Sequence, residues 1–447
     1  MNKLSKNTKA LIIIFFIALV ARIFGPLLLE SRFFGRAFLI FGQPLAPQIM
    51  EKQIILYNLE NGLISDEVIF SNTAQAIAEK HGYSLNFSKA MKTKNFALSD
   101  KQLKKSRDAF YSLSKSSSSD TAYRSHRLVP PIYPFFLAAC FSFFGINTLA
   151  FYIPQLILGT LTCVFIYLLA KELFGIDVAI LAGIFVALYP DLVFWTHTVR
   201  PETLYIFLIA AGFYYLTKGN IRKEKTILYL GWGFFCLAAL TKITLIFFLP
   251  LVIIWQLFAW DKNKLMSFFI CCSLIIIGCA ILLPWTIRNY LVFSEFTPIT
   301  SEAGAVLVEH MKNNEIIHVS STNYLVQLFS FIQQNPNEYI LLSFSRLLKY
   351  LGPITPQMRN IAKIYKFITW MIIVPSAIAG IFVTLKEKLG KDGLLIIFIL
   401  YYILLHTATV VDNGLIYRYP IQPILAIFSA QAYLSFSRFL KGNRKQT

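Results

Sequence analysis

Asp66 and Glu67 are adjacent carboxylates in the first large polar stretch of the chain, which follows a single hydrophobic segment. A carboxylate held at a membrane boundary can take a proton from an incoming hydroxyl or amine, and a second one can orient it or hold a divalent metal. A reaction whose leaving group gathers negative charge also requires cations where that charge develops. Three cations stand in suitable places: Arg288 near the end of a long apolar run, Lys242 in a tight turn between two such runs, and Arg418 just before the last one. Arg288 is the leading choice, because a guanidinium grips phosphate oxygens with two donors. Glu202, after Pro201 at the start of another apolar segment, could face the same cavity. Each residue has a plainer reading: the acids could complement helix dipoles, and the cations could snorkel as interfacial anchors.

The elements that must position these groups are membrane helices. The chain of 447 residues is 56% hydrophobic, 15% aromatic and only 15% charged, and its apolar runs are long enough to cross a bilayer. The pattern predicts an all-α polytopic protein of about ten spans, at residues 10–29, 150–170, 177–195, 203–217, 227–241, 243–260, 266–288, 366–385, 393–410 and 419–437. The first run, Leu11 to Leu29, lacks a small-residue cleavage site after it and reads as an uncleaved span. The net charge of +19 falls largely in short connections such as Lys218 to Lys225 and Arg438 to Lys445. Every second connection is basic, which makes these cytoplasmic and makes nucleic acid a poor partner. The six cysteines all lie in apolar stretches and suggest neither disulfides nor zinc.

The chain divides into an N-terminus with the first span (1–29), a first outer loop carrying the acids (30–148), a transmembrane core (149–288), a second outer loop (289–365) and C-terminal spans with a basic tail (366–447). Parity requires the apolar stretch Ile132 to Phe144 to lie along the outer surface, since a crossing there would invert every later basic loop. In the first outer loop Ser65 can cap a helix from Asp66 to about Lys80 that ends at Gly82, with Ile69, Thr73, Ala76 and Ile77 on one face. Residues 88–119 are Lys/Ser-rich and read as a flexible flap without a core. In the second, Asn335-Pro336 starts a surface helix whose apolar face is Ile340, Phe344, Leu347, Leu348 and Leu351. The span centres are almost free of charge, unlike those of ion-coupled transporters.

Several blocks together resemble one family. They are Asp66-Glu67 with Ala74, Ala78 and Gly82; the run Arg127 to Pro134; Leu173-Phe174-Gly175 leading to Ala187-Leu188-Tyr189-Pro190 and Pro201-Glu202; Pro284 to Tyr290; Asn335-Pro336; and Arg418-Tyr419-Pro420. In this order they are similar to the GT-C glycosyltransferases, in the branch of protein O-mannosyltransferases and lipid A aminoarabinose transferases. The resemblance implies a GT-C-like bundle with interfacial helices in the first outer loop. It also implies sugar transfer from a polyprenyl-phosphate donor to a lipid, glycan or protein acceptor on the extracytoplasmic side of the plasma membrane, with Asp66 as catalytic base and Glu67 beside it. Arg127, Tyr133 and His126 join Glu202, Arg288, Lys242 and Arg418 as substrate-binding candidates. The family's arginine lies closer to its Pro-Pro-x-Tyr-Pro than Arg127 does here, where Leu128-Val129 intervene, so His126 or Arg124 could take its role. The sequence specifies no cofactor and leaves a divalent metal open. A glycan polymerase or ligase, and a flippase or transporter of lipid-linked sugars, are the alternative functions.

Overall fold

The computed structural model describes residues 5–29, 66–86, 114–116, 124–260, 264–300, 332–352, 360–386, 390, 392–409 and 418–443. Ser65, Glu302, His310, His318, Asp412 and most of the Lys/Ser-rich stretch lie outside the described residues. The helices are α1 (Lys6–Leu29), α2 (Asp66–Ala78), α3 (Ile132–Phe144), α4 (Thr148–Phe174), α5 (Ile176–Leu188), α6 (Pro190–Phe194), α7 (Glu202–Arg222) and α8 (Lys225–Thr241). They continue with α9 (Leu249–Ala259), α10 (Lys264–Phe293), α11 (Pro336–Leu351), α12 (Asn360–Lys386), α13 (Gly393–Thr409) and α14 (Gln422–Asn443). Each of the ten expected segments is helical over most of its length. Among the described residues four helices are long and apolar enough to cross a membrane, or five if α5 and the segment from Pro190 to His197, bent by 56° at their junction, count as one span. Pro190 explains the break: it cannot donate to the helix it follows, and it sits at the first position of the next one.

Two exposed ion pairs fix which helix ends share a face. Lys6 Nζ lies 3.0 Å from Asp177 Oδ1, and Arg222 Nη2 lies 3.9 Å from Glu172 Oε1. Such pairs stabilise little, but they put the start of α1, the end of α4, the start of α5 and the end of α7 together at one basic face. Since α1 leaves that face and α4 returns to it, the end of α1 and the start of α4 both lie on the opposite, distal face. At 13 residues and about 1.5 Å per residue, α3 is also too short to span, as expected.

The distal face carries a layer of short elements. Helix α2 buries Ile69, Phe70, Thr73, Ala74 and Ala76, with Phe70 edge-on to Tyr133 of α3 at 5.1 Å. Its end differs from expectation: Lys80, not Gly82, takes the first left-handed position (φ 67°), with the His81 amide donating to the Ala76 carbonyl at 2.8 Å. Gly82 is left-handed as well and turns the chain into a strand. That strand belongs to a small antiparallel sheet the all-α expectation omits, formed by β1 (Ser84–Leu85), β2 (Ser114–Ser116) and β3 (Arg124–His126) in the order β1-β3-β2. Ser114–Ser116 thus pairs with β3, although the sequence places it in the flap. Helix α11 starts at Pro336 as predicted, with Ile340, Phe344 and Leu348 more than half exposed while Arg346 and Tyr350 turn inwards.

Tight helix contacts hold this frame. A Cβ on Gly380 of α12 would stand 1.9 Å from the Phe428 carbonyl oxygen of α14, whereas one on Gly233 would meet nothing within 4 Å. Gly380→Ala must therefore push α12 and α14 apart, at about 1–3 kcal/mol. Its unfolding temperature in detergent should fall by several degrees, and that of Gly233→Ala should not.

Candidate active site

The ionisable groups of the distal face fall into linked clusters. Helix α6 holds Asp191 fully enclosed. It accepts from Gln422 Nε2 at 2.8 Å, pairs with Lys366 of α12, and lies 3.9 Å from Arg418 Nη2. Arg418, itself buried, also donates through Nη1 to the carbonyls of Tyr350 and Gly352. One carboxylate thus answers two desolvated cations, an imbalance that favours an anion nearby. Next to it, at the start of α7, buried Glu202 accepts from Lys242 Nζ at 3.2 Å. The Tyr419 hydroxyl feels the charge of Asp191 and, more weakly, that of Glu202.

Helix α10 builds the other cluster. Its Trp285 and Asn289 donate to carbonyls of residues 297 and 299, folding the following segment back along the helix. Arg288 donates to the His126 carbonyl at 3.0 Å and to the Tyr83 carbonyl at 3.2 Å, with its guanidinium against Trp285 at 4.8 Å. Among the described residues no carboxylate pairs with Arg288. It therefore clamps the distal layer onto α10 while keeping its charge uncompensated. Arg127, by contrast, has its charge answered by Glu295 and donates to Thr297 at 2.7 Å.

His126 joins this cluster to α2 through Thr73, its Nε2 lying 2.8 Å from Thr73 Oγ1. Tyr133 ties the layer to the core: its hydroxyl donates to Gln155 Oε1 at 3.5 Å, and Gln155 Nε2 donates to the Thr198 carbonyl at 2.8 Å, just before Glu202. Asp66 and Glu67 begin α2, one turn before Phe70. Of the predicted residues, then, Glu202 meets Lys242, Arg288 meets His126, and Arg418 meets Asp191, which was not among the candidates.

Burial, with a smaller effect from the nearby Arg288 charge, pushes the His126 pKa down to about 3. The ring stays neutral in the folded layer but binds a proton below about pH 6.5 once exposed. Its contribution to stability is complete above about pH 6.5 and is lost as pH falls towards the folded value of about 3. Between about pH 7.5 and 5 the layer should lose on the order of 2 kcal/mol. Amide exchange over residues 66–86 and 124–134 should speed up accordingly, and His126→Gln should flatten that dependence.

Residues 128–287, from the turn before α3 into the last third of α10, match the family model described as Dolichyl-phosphate-mannose-protein mannosyltransferase. The crystal structure of ArnT from Cupriavidus metallidurans in the apo state superposes with a TM-score of 0.52, over 88% of this chain and 62% of that one, at 12% identity. The chain has the GT-C fold. The oligosaccharyltransferase AglB from Archaeoglobus fulgidus, solved with an inhibitory peptide and a dolichol-phosphate, gives a TM-score of 0.46 at 13% identity, over 72% of this chain and 44% of that one. The chain therefore spans less than two thirds of the length of these structures. No curated protein sequence matches it.

Within the GT-C frame two groups escaped the sequence reading. Tyr83 sits between Arg288, His126 and Trp285, and only its place after the α2 stop could have drawn attention to it. Arg22 contradicts the expectation of charge-poor spans: it is 1% exposed in α1, donates to the Ala18 carbonyl, and fits because Gly159 opposite lacks a Cβ. A charge amid eighteen apolar neighbours is the signal that could have found it.

Proposed function

We propose that this integral membrane protein is a glycosyltransferase that moves a sugar from a polyprenyl-phosphate donor to an acceptor on the extracytoplasmic side. The observation that carries this reading is the gathering of Asp191, Arg418, Lys366, Glu202, Lys242 and Arg288 at the face opposite the basic loops. The name of the family matched over residues 128–287 supports a lipid-phosphate donor. The lipid tail lies among the spans, with its phosphate drawn to Arg418 and to the uncompensated guanidinium of Arg288. Asp66, on the first turn of α2, takes the proton of the acceptor hydroxyl or amine. The freed lone pair attacks the anomeric carbon, the bond from that carbon to the phosphate oxygen breaks, and the electron pair leaves on polyprenyl phosphate. One displacement inverts the anomeric centre. Glu67 supports Asp66 by orienting it. The positive-inside pattern supports an extracytoplasmic site, and the membrane proposed is the plasma membrane.

Depleting the protein and weighing the lipid-linked sugars by mass spectrometry tests this directly. A specific glycosylated carrier should accumulate in the outward-facing leaflet. Accumulation confined to the inner leaflet would favour a flippase instead.

A further inference from the structure

We propose that the distal ends of α7, α11 and α13, with the turn after α8, form a subsite for the sugar itself, in which Glu202 and Tyr350 read its hydroxyls. The inference rests on the glycosyltransferase reading and assigns Lys242 to the sugar rather than to the phosphate. Two enclosed polar atoms of this patch, Glu202 Oε2 and Tyr350 Oη, lack a hydrogen-bond partner among the described residues. Buried polar groups are nearly always satisfied, and each unsatisfied one costs on the order of 1–3 kcal/mol, so these two point to a polar ligand.

The chemistry of the lining narrows what that ligand is. The ring of Tyr350 stacks on His406 at 5.8 Å and 19°, and His406 lies 5.4 Å from Tyr402. The Tyr402 hydroxyl bonds to that of Tyr205, which is 3.2 Å from Thr244 Oγ1. The Lys242 charge reaches His406, which places the Glu202–Lys242 pair beside the same rings. Acceptors, donors and aromatic faces thus alternate over a patch in which Glu202 answers Lys242. A polyhydroxyl compound suits it, because each hydroxyl both donates and accepts while the ring carbons cover aromatic surface. A phosphate suits it less, since Glu202 already answers Lys242; the cation excess lies on the Asp191 side, with Lys366 and Arg418.

The test is binding of purified, nanodisc-embedded protein to bare undecaprenyl phosphate and to the same carrier bearing glucose, galactose, mannose, N-acetylglucosamine or arabinose. The wild type should bind at least one glycosylated carrier more tightly than the bare one. Tyr350→Phe should reduce that increment about fivefold and leave bare-carrier affinity unchanged, whereas Glu202→Gln should reduce it about thirtyfold while freeing Lys242 to tighten binding of the bare carrier. Because the Tyr350 hydroxyl has no partner, its removal should not lower the unfolding temperature, which separates lost recognition from misfolding. Equal loss for bare and glycosylated carriers, or no increment in the wild type, overturns the subsite. Failure to bind any of the carriers removes the glycosyltransferase reading along with it.

Discussion

Asp66→Asn is expected to lower sugar transfer by roughly 10²–10⁴-fold, the range a lost general base produces, with donor affinity changed little. The amide keeps the shape and the place at the start of α2 but cannot take the acceptor's proton. Since α2 is held by Phe70 against Tyr133 and by Thr73 against His126, both beyond its first turn, the layer should stay folded. A transfer assay in proteoliposomes, paired with an unfolding curve, checks both parts. Glu67→Gln should cost less, about tenfold, because it alters only the setting of Asp66. A wild-type rate in Asp66→Asn would remove this residue from the reaction. So would retention of the donor's anomeric configuration, seen by NMR of the product.

The second large effect is on stability. Asp191→Asn leaves buried Arg418 and half-buried Lys366 without a carboxylate, which should cost about 3–5 kcal/mol. Thermal unfolding should shift down by many degrees, and expression should fall. Adding Lys366→Met to Asp191→Asn removes one of the stranded charges and should recover much of the loss, whereas independent effects would simply sum. An additive double variant would mean that Lys366 does not depend on Asp191.

Hydropathy made the helical segments legible because it is a local property: each run carries its own signal, and parity was enough to keep α3 out of the membrane. Asn335-Pro336 announced α11 for the same reason, although the Asn335 side chain makes no capping bond. What the sequence hid is non-local. Asp191 sits inside an apolar run, and its partners Lys366, Arg418 and Gln422 come from segments more than 170 positions later, so no spacing relates them. The motif from Pro284 to Tyr290 was visible, but not that Trp285 and Asn289 bind the returning backbone while Arg288 spans two distal carbonyls. Lys80 was masked by the nearby glycine, whose freedom at positive φ made it the natural stop.

A cryo-electron-microscopy structure with a bound undecaprenyl-phosphate sugar bears most directly on the central claim. The account predicts the phosphate against Arg418 or Arg288, the sugar ring beside Tyr350 and His406, and the anomeric carbon within one acceptor group of Asp66. A donor seated at the basic face near Lys6 and Asp177, or one whose anomeric carbon Asp66 cannot approach, would contradict it.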